Sequence, residues 1–227
     1  MAAGVVAMVV LAIRAAWLSR RQDRRLAEER QRKAASRGWS YSASDAGGYV
    51  IAGHSGGTTW EFSCQRSGDE DGEVRWQSAQ PRAQRLQLAL MSGVAERIAY
   101  SRPARWIIDS ALGLGFKSSQ PAAHYDFYVT SQRVESSLSV FQDQWSVRAL
   151  DLHVGRAVAN HRLALLLAEW PETADKAFQP QAHLNAAWDE NGVRVNCASA
   201  LRDPRTIEHI VLIGAELAQA IRRAATT

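Results

Sequence analysis

The stretch AHLNAAWDENGVRVNCAS, residues 182–199, carries the clearest secondary-structure pattern in this chain of 227 residues. Two runs of mostly apolar residues, 182–188 and 193–199, flank the sequence Asp189-Glu190-Asn191-Gly192. Asp, Asn and Gly are the residues that tight turns favour, because they tolerate or stabilise turn backbone angles. The stretch therefore predicts an antiparallel β-hairpin.

A long helix is predicted directly after this hairpin. Asp203 and Pro204 suit the N-cap and the first position of a helix, and the basic pair Arg222-Arg223 suits its end. Between them, apolar residues recur at helical spacing and predict one core-facing stripe. The stripe consists of Ile207, Ile210, Val211, Gly214, Leu217, Ala218 and Ile221.

Further strands are predicted upstream, where aromatic and β-branched residues are separated by Gly and Asp. They are Trp39–Ser42, Tyr49–Gly53, Thr58–Arg66 and Val74–Ala79. Gly56-Gly57 and the acidic stretch Ser67–Gly72 are predicted to be hairpin turns, and the latter lacks the ligand spacing of a calcium-binding EF-hand loop. Strands interleaved with isolated helices indicate an α+β fold with antiparallel hairpins or a meander.

The middle of the chain is ambiguous. Leu86, Leu88 and Leu90 alternate as in a strand, yet Leu86, Leu90, Val94 and Ile98 also have helical spacing. Three more elements are predicted here from local pattern. They are a short helix at Arg105–Leu114, a strand at Tyr125–Val129 and a helix at Asp151–Trp170 that Pro171 ends.

The N-terminus combines an apolar run, Ala2–Ile13, with a basic segment that extends to residue 37. Apolar first and basic second is typical of a chain held in a bilayer with the rest in the cytoplasm. A cleaved signal peptide is the alternative, but its positive charges would precede the apolar run. We therefore expect a transmembrane anchor at 1–18, a basic helical stalk at 19–37 that stops at Gly38, and a soluble α+β domain at 38–227. That domain is either one unit or two subdomains, 38–130 and 131–227.

The distribution of charge points to lipid rather than nucleic acid. Residues 1–37 hold nine basic and three acidic residues, whereas residues 38–227 have a net charge of −2. The overall net charge of +4 thus comes from the N-terminal segment, where anionic headgroups would lie. We expect residues 1–37 to bind a lipid bilayer, no nucleic-acid partner, and a location at a bacterial inner membrane with the N-terminus outside and the domain in the cytoplasm.

One motif could carry catalysis. Gly53-His54-Ser55-Gly56-Gly57 matches the G-x-S-x-G pattern of hydrolases. A nucleophile elbow requires a helix after the serine, but Thr58–Phe62 is predicted to be a strand. A β-turn is the favoured interpretation, and a membrane-associated hydrolase that uses Ser55 is the alternative.

Other chemistry-bearing residues show no catalytic or ligand spacing. The six histidines have no H-E-x-x-H pattern, and Cys64 and Cys197 lie far apart in sequence. We expect no metal site, no cofactor site and two buried thiols. Most of the eight tryptophans are expected in the core, with an aromatic binding platform as the alternative.

The order of anchor, basic stalk, strands and C-terminal hairpin and helix resembles that of uncharacterised bacterial single-pass membrane proteins of unknown function. Gly38-Trp39-Ser40-Tyr41 and the Asp203–Arg223 helix carry this resemblance of layout, which implies no specific activity. The sequence thus favours a membrane-tethered cytoplasmic domain that binds a protein partner or senses a state, and not an enzyme.

Overall fold

A large antiparallel sheet dominates the computed structural model, which describes residues 2–44, 48–65, 74–93, 95–96, 126–127, 129–173, 184–197 and 204–226. The strands in these ranges are β1 (Ser40–Ala43), β2 (Tyr49–Ser55), β3 (Thr58–Cys64), β4 (Val74–Ser78), β5 (Leu88–Ser92), β6 (Gln132–Arg133), β7 (Trp145–Ala149), β8 (Leu184–Asp189) and β9 (Gly192–Cys197). The helices are α1 (Ala2–Ser36), α2 (Leu152–Val158), α3 (His161–Thr173) and α4 (Pro204–Ala225), and Val140–Gln144 forms one π-helical turn. The predicted α+β class with antiparallel hairpins is confirmed.

The strands lie in the order β1-β2-β3-β4-β9-β8-β5-β7-β6, and every neighbouring pair is antiparallel. The C-terminal hairpin β8–β9 sits at the centre, because β9 pairs with β4 and β8 pairs with β5. Strands from residues 38–130 and from 131–227 are therefore interleaved in a single sheet.

One face of the sheet carries the main hydrophobic core. Helix α4 packs on this face, and its apolar stripe is buried as the sequence predicts. Gly214 lets α4 approach closely, because a Cβ at this position would overlap the indole ring of Trp76 on β4. Trp60, Trp76 and Trp145 are fully buried on the same face and fill the space between sheet and helices.

The ambiguous segment around Leu88 is a strand. All five residues of β5 are buried, because β8 and β7 flank it and apolar clusters cover both of its faces. Leu88 and Leu90 belong to the main core, whereas Ala89 and Met91 pack with Phe127 and Ala187 on the other face. A strand that is buried on both faces lacks the polar alternation that identifies strands in sequence.

Two local predictions are wrong. Asp126–Phe127 and Val129–Thr130 are helical rather than extended, and the Ser131 N–H donates to the carbonyl of Phe127 at 2.7 Å, the four-residue spacing of a helix. The predicted helix 151–170 is two helices, α2 and α3. Asn160 separates them, because its side-chain oxygen accepts from the Leu163 N–H at 2.9 Å and caps a new helix.

One predicted helix ends at a different residue, and two predicted elements fall outside the described residues. Helix α3 continues through Pro171 to Thr173. The predicted turn at 67–72 and the predicted helix at 105–114 lie outside the described residues.

In the part of the chain that the structure describes, no helix is long and apolar enough to cross a membrane. The transmembrane anchor predicted at 1–18 and its single-pass topology are therefore wrong. The uninterrupted apolar run Ala2–Ile13 spans about 18 Å as a helix, whereas a hydrocarbon core measures about 30 Å. Arg14 is exposed directly after this run, and α1 continues unbroken into the basic segment. The location predicted for the protein stays a prediction.

Candidate functional site

Ser55 lies at the end of β2 and faces Thr58 across the tight turn formed by Gly56 and Gly57. Both glycines have positive φ, at 57° and 75°, and a strand follows them instead of a helix. Among the described residues, no histidine forms a hydrogen bond with Ser55. The adjacent His54 instead places Nδ1 3.5 Å from the hydroxyl of Thr59. This geometry is that of a hairpin, and it lacks the helix that a nucleophile elbow needs.

The histidines that the structure describes are dispersed. His54 lies on β2, His153 on α2, His161 at the start of α3 and His209 on α4. His209 is buried, and its Nε2 lies 2.6 Å from the carbonyl oxygen of Leu166. No group of three or more His, Cys, Asp or Glu side chains suitable for a metal ion occurs among the described residues. His124 and His183 lie outside them.

Cys64 and Cys197 are both buried on the core face of the sheet, and no disulfide joins them. Val74 lies between them, since Cys64 pairs with Val74 on one side and Cys197 pairs with Val74 on the other. Two strand spacings separate the Cα atoms by about 9.5 Å, which is too far for a disulfide.

The inner surface of α1 connects the basic segment to the domain. Ala34 is only 1% exposed and belongs to the main core, and the Arg30 guanidinium lies 4.4 Å from the ring centre of Tyr49 on β2. Lys33 Nζ lies 2.7 Å from the Glu208 carboxylate on α4, and Arg37 also pairs with that carboxylate. The second half of the segment predicted as a stalk is therefore packed against the domain.

Electrostatics at this contact favour the docked position of α1. Burial raises the pKa of Glu208, but hydrogen bonds and charges from Lys33 and Arg37 outweigh burial and lower the pKa below its ordinary value. Burial and the nearby Cys64 raise the pKa of Tyr49 well above its ordinary value, against the opposing charge of Arg30. Tyr49 is therefore a neutral phenol at physiological pH, with a cation over its ring face.

The outer surface of α1 has a different composition. Residues at three- and four-residue spacing form an exposed stripe on the side of the helix opposite Arg30 and Ala34. This outer stripe consists of Arg14, Trp17, Leu18, Arg21, Arg25, Glu28 and Arg32. Trp17 is 57% exposed and Leu18 is 51% exposed, and the Arg21 guanidinium lies 5.4 Å from the Trp17 ring centre. Four cations and two large apolar side chains thus face solvent together, against Glu28 and the exposed Glu29, which lies four residues after Arg25.

The sequence predicted the basic charge of this segment, but it did not predict that one side of the helix packs on the domain while the other side faces solvent. The inner contacts involve Arg30, Lys33 and Ala34, none of which forms a hydrophobic stripe that would predict packing. The three- and four-residue spacing of these residues places them on one side of a helix, and this spacing is the only sign of the contact in the sequence. No family model, curated protein or solved structure matches this chain.

Proposed function

We propose that this protein is a peripheral interaction domain whose outer stripe on α1 lies against an anionic lipid surface, without crossing it. The observation that carries the proposal is the exposed row of Arg14, Arg21, Arg25 and Arg32 beside Trp17 and Leu18. Basic residues near anionic headgroups are each worth about 1 kcal/mol. Trp and Leu supply the apolar contact that an interfacial helix uses.

A lipid surface fits this stripe better than nucleic acid does. Nucleic-acid binding needs cations, but it does not need an exposed Trp-Leu pair that closely follows the apolar run Ala2–Ile13. Trp side chains are enriched at the headgroup level of membranes. The remainder of the chain, residues 38–227, has a net charge of −2 and so contains no excess of basic over acidic residues.

The contact between the second half of α1 and the domain fixes how the domain would be oriented on a lipid surface. Because Lys33 and Arg37 pair with Glu208 and Ala34 is buried, the helix cannot rotate freely relative to the sheet. A lipid surface that binds the outer stripe would therefore hold the domain in one orientation. The protein partner expected from the sequence stays a prediction.

Vesicle flotation tests the proposal on the full chain. The protein should float with vesicles that contain phosphatidylserine, less with phosphatidylcholine vesicles, and the difference should shrink as salt is raised. The double variant R21Q/R25Q should bind anionic vesicles about 30-fold more weakly, since two cations are lost. R82Q/R85Q is the matched control, because both of these arginines are exposed outside α1.

Three outcomes would contradict the proposal. They are equal losses in the two double variants, equal binding to anionic and neutral vesicles, and binding to a DNA duplex that R21Q/R25Q weakens while vesicle binding is unaffected. The last result would identify the stripe as a nucleic-acid surface.

A further inference from the structure

A cleft of about 420 Å³ opens where the corner between α2 and α3 meets α4. Ala157 on α2 and Ala220 on α4 supply its apolar walls. Polar side chains from both sides complete it, and they lie on elements distant from α1 in the chain. None of the residues that line the cleft belongs to the outer stripe.

Glu216 is the buried centre of this cleft. Its side chain is only 3% exposed, and one carboxylate oxygen accepts from Asn160 Nδ2 at 3.1 Å and from Arg223 at 3.2 Å. The other oxygen lies 3.3 Å from Arg162 Nε. Asn160 is fixed in turn, because its Nδ2 also donates to the Ala157 carbonyl at 2.9 Å and its side-chain oxygen caps α3. One carboxylate thus holds two guanidinium groups at the cleft from opposite sides.

Both arginines are open to solvent despite this contact. The Arg162 side chain is 71% exposed and the Arg223 side chain is 63% exposed. A guanidinium carries five N–H donors in a planar fork, so one contact with Glu216 leaves most of the fork of Arg162 for another acceptor. The buried Glu216 carboxylate needs a cationic partner, and one arginine is enough to balance its single charge, so neutralising Glu216 does not by itself require two arginines here.

The charge of the cleft is positive. The formal charges of Arg162, Arg223 and Glu216 sum to +1. Helix α3 begins at His161, on the rim of the cleft, so the positive end of its dipole adds to this charge. A dianion gains more from such a site than a monoanion, and guanidinium groups bind phosphate oxygens in bidentate geometry.

We propose that this cleft binds the phosphate group of a small phosphorylated molecule through Arg162 and Arg223. Glu216 and Asn160 act as positioning residues for the two arginines. A volume of about 420 Å³ lies within the range of small-molecule pockets, and the alanine walls accept a compact apolar body behind the phosphate.

An NMR titration of the full chain with inorganic phosphate tests this site. At constant ionic strength, signals of His161, Arg162 and Arg223 should shift together and saturate in the millimolar range. R162Q should weaken phosphate binding about tenfold, since it removes a charge-assisted hydrogen bond, and its exposed position leaves the fold intact. R85Q removes the same charge at an exposed position outside the cleft and should leave phosphate affinity unchanged.

Acetate provides the test of ligand class. Acetate should bind more weakly than phosphate, because it carries a single charge. Three results would overturn the proposal: no saturable shift at these residues, equal weakening by R162Q and R85Q, or acetate binding as tight as phosphate binding.

Discussion

Lys33 on α1 and Glu208 on α4 form an ion pair with 2.7 Å between Nζ and the carboxylate. The first helix of the chain is thereby joined to the last, and Arg37 pairs with the same carboxylate. Ala34, one residue after Lys33, is buried in the main core. The contact converts a segment that would otherwise be a free linker into part of the folded domain.

The contact predicts a pH dependence of stability. The pKa of Glu208 is lowered in the folded state, so its contribution is complete above the ordinary glutamate value of about 4.3 and is lost as the pH falls through the lower folded value. Glu208→Gln should reduce the free energy of unfolding by about 1 kcal/mol at neutral pH. Urea unfolding at a series of pH values should show that difference shrinking below about pH 4.3.

Glu190→Gln is the matched control for this experiment. Glu190 is exposed at the turn between β8 and β9, and its loss should change stability little at any pH. A difference between wild type and Glu208→Gln that stays constant from neutral to acid pH would contradict the role given to Glu208.

The close approach of Gly214 to Trp76 predicts a destabilising alanine substitution. Alanine favours helix over glycine by about 1 kcal/mol, but its Cβ would overlap an indole that is fully buried and cannot move aside. Overpacking costs about 1–3 kcal/mol, so Gly214→Ala should lower stability in urea unfolding. Leu212→Ala on the exposed side of α4 should have a smaller effect. A stabilised Gly214→Ala variant would mean that α4 does not pack this closely.

Local pattern predicted most strands and the C-terminal helix, but it could not predict their order. The pairing of Val74 with Cys197 joins strands from distant parts of the chain. The alternation of apolar and polar residues along a strand indicates which of its faces is buried, but it does not indicate which strand pairs with it. The break at Asn160 was missed because the apolar pattern continues across it. The cap that decides the break is a single side-chain hydrogen bond.

The cleft was beyond sequence reasoning for a similar reason. Glu216 is one of several polar residues on the amphipathic helix α4, and Asn160, Arg162 and Arg223 lie on other turns or helices. The periodicity of apolar residues along one helix does not indicate which side chains of another helix contact it. The basic character of α1, in contrast, follows directly from local composition.

The two cysteines predict a protein that is inert to thiol reagents until it unfolds. Cys64 and Cys197 are buried with Val74 between them, so in the folded state they are too far apart for a disulfide and poorly accessible to a reagent. Reaction with a chromogenic thiol reagent should be slow in buffer and should reach two thiols in denaturant. Ser42→Cys, on the exposed part of β1, should add one fast thiol. Fast reaction of the wild-type chain would show that the core opens at these strands.

The hairpin geometry of Ser55 predicts that its hydroxyl has no catalytic role. Ser55 faces Thr58 across the Gly56-Gly57 turn, and no described histidine forms a hydrogen bond with it, since the adjacent His54 places Nδ1 near the Thr59 hydroxyl. A serine becomes a nucleophile when a base accepts its proton, and this arrangement supplies no such base.

Ser55→Ala should therefore change the free energy of unfolding by about 0.5 kcal/mol or less, as Ser42→Ala on the exposed part of β1 should. A fluorophosphonate probe should label neither the wild-type chain nor the Ser55→Ala variant. Labelling of the wild type that disappears in Ser55→Ala would favour the hydrolase alternative, because fluorophosphonates react with serines that an adjacent base activates. Labelling that persists in Ser55→Ala would place the reactive residue elsewhere and leave Ser55 as a turn residue.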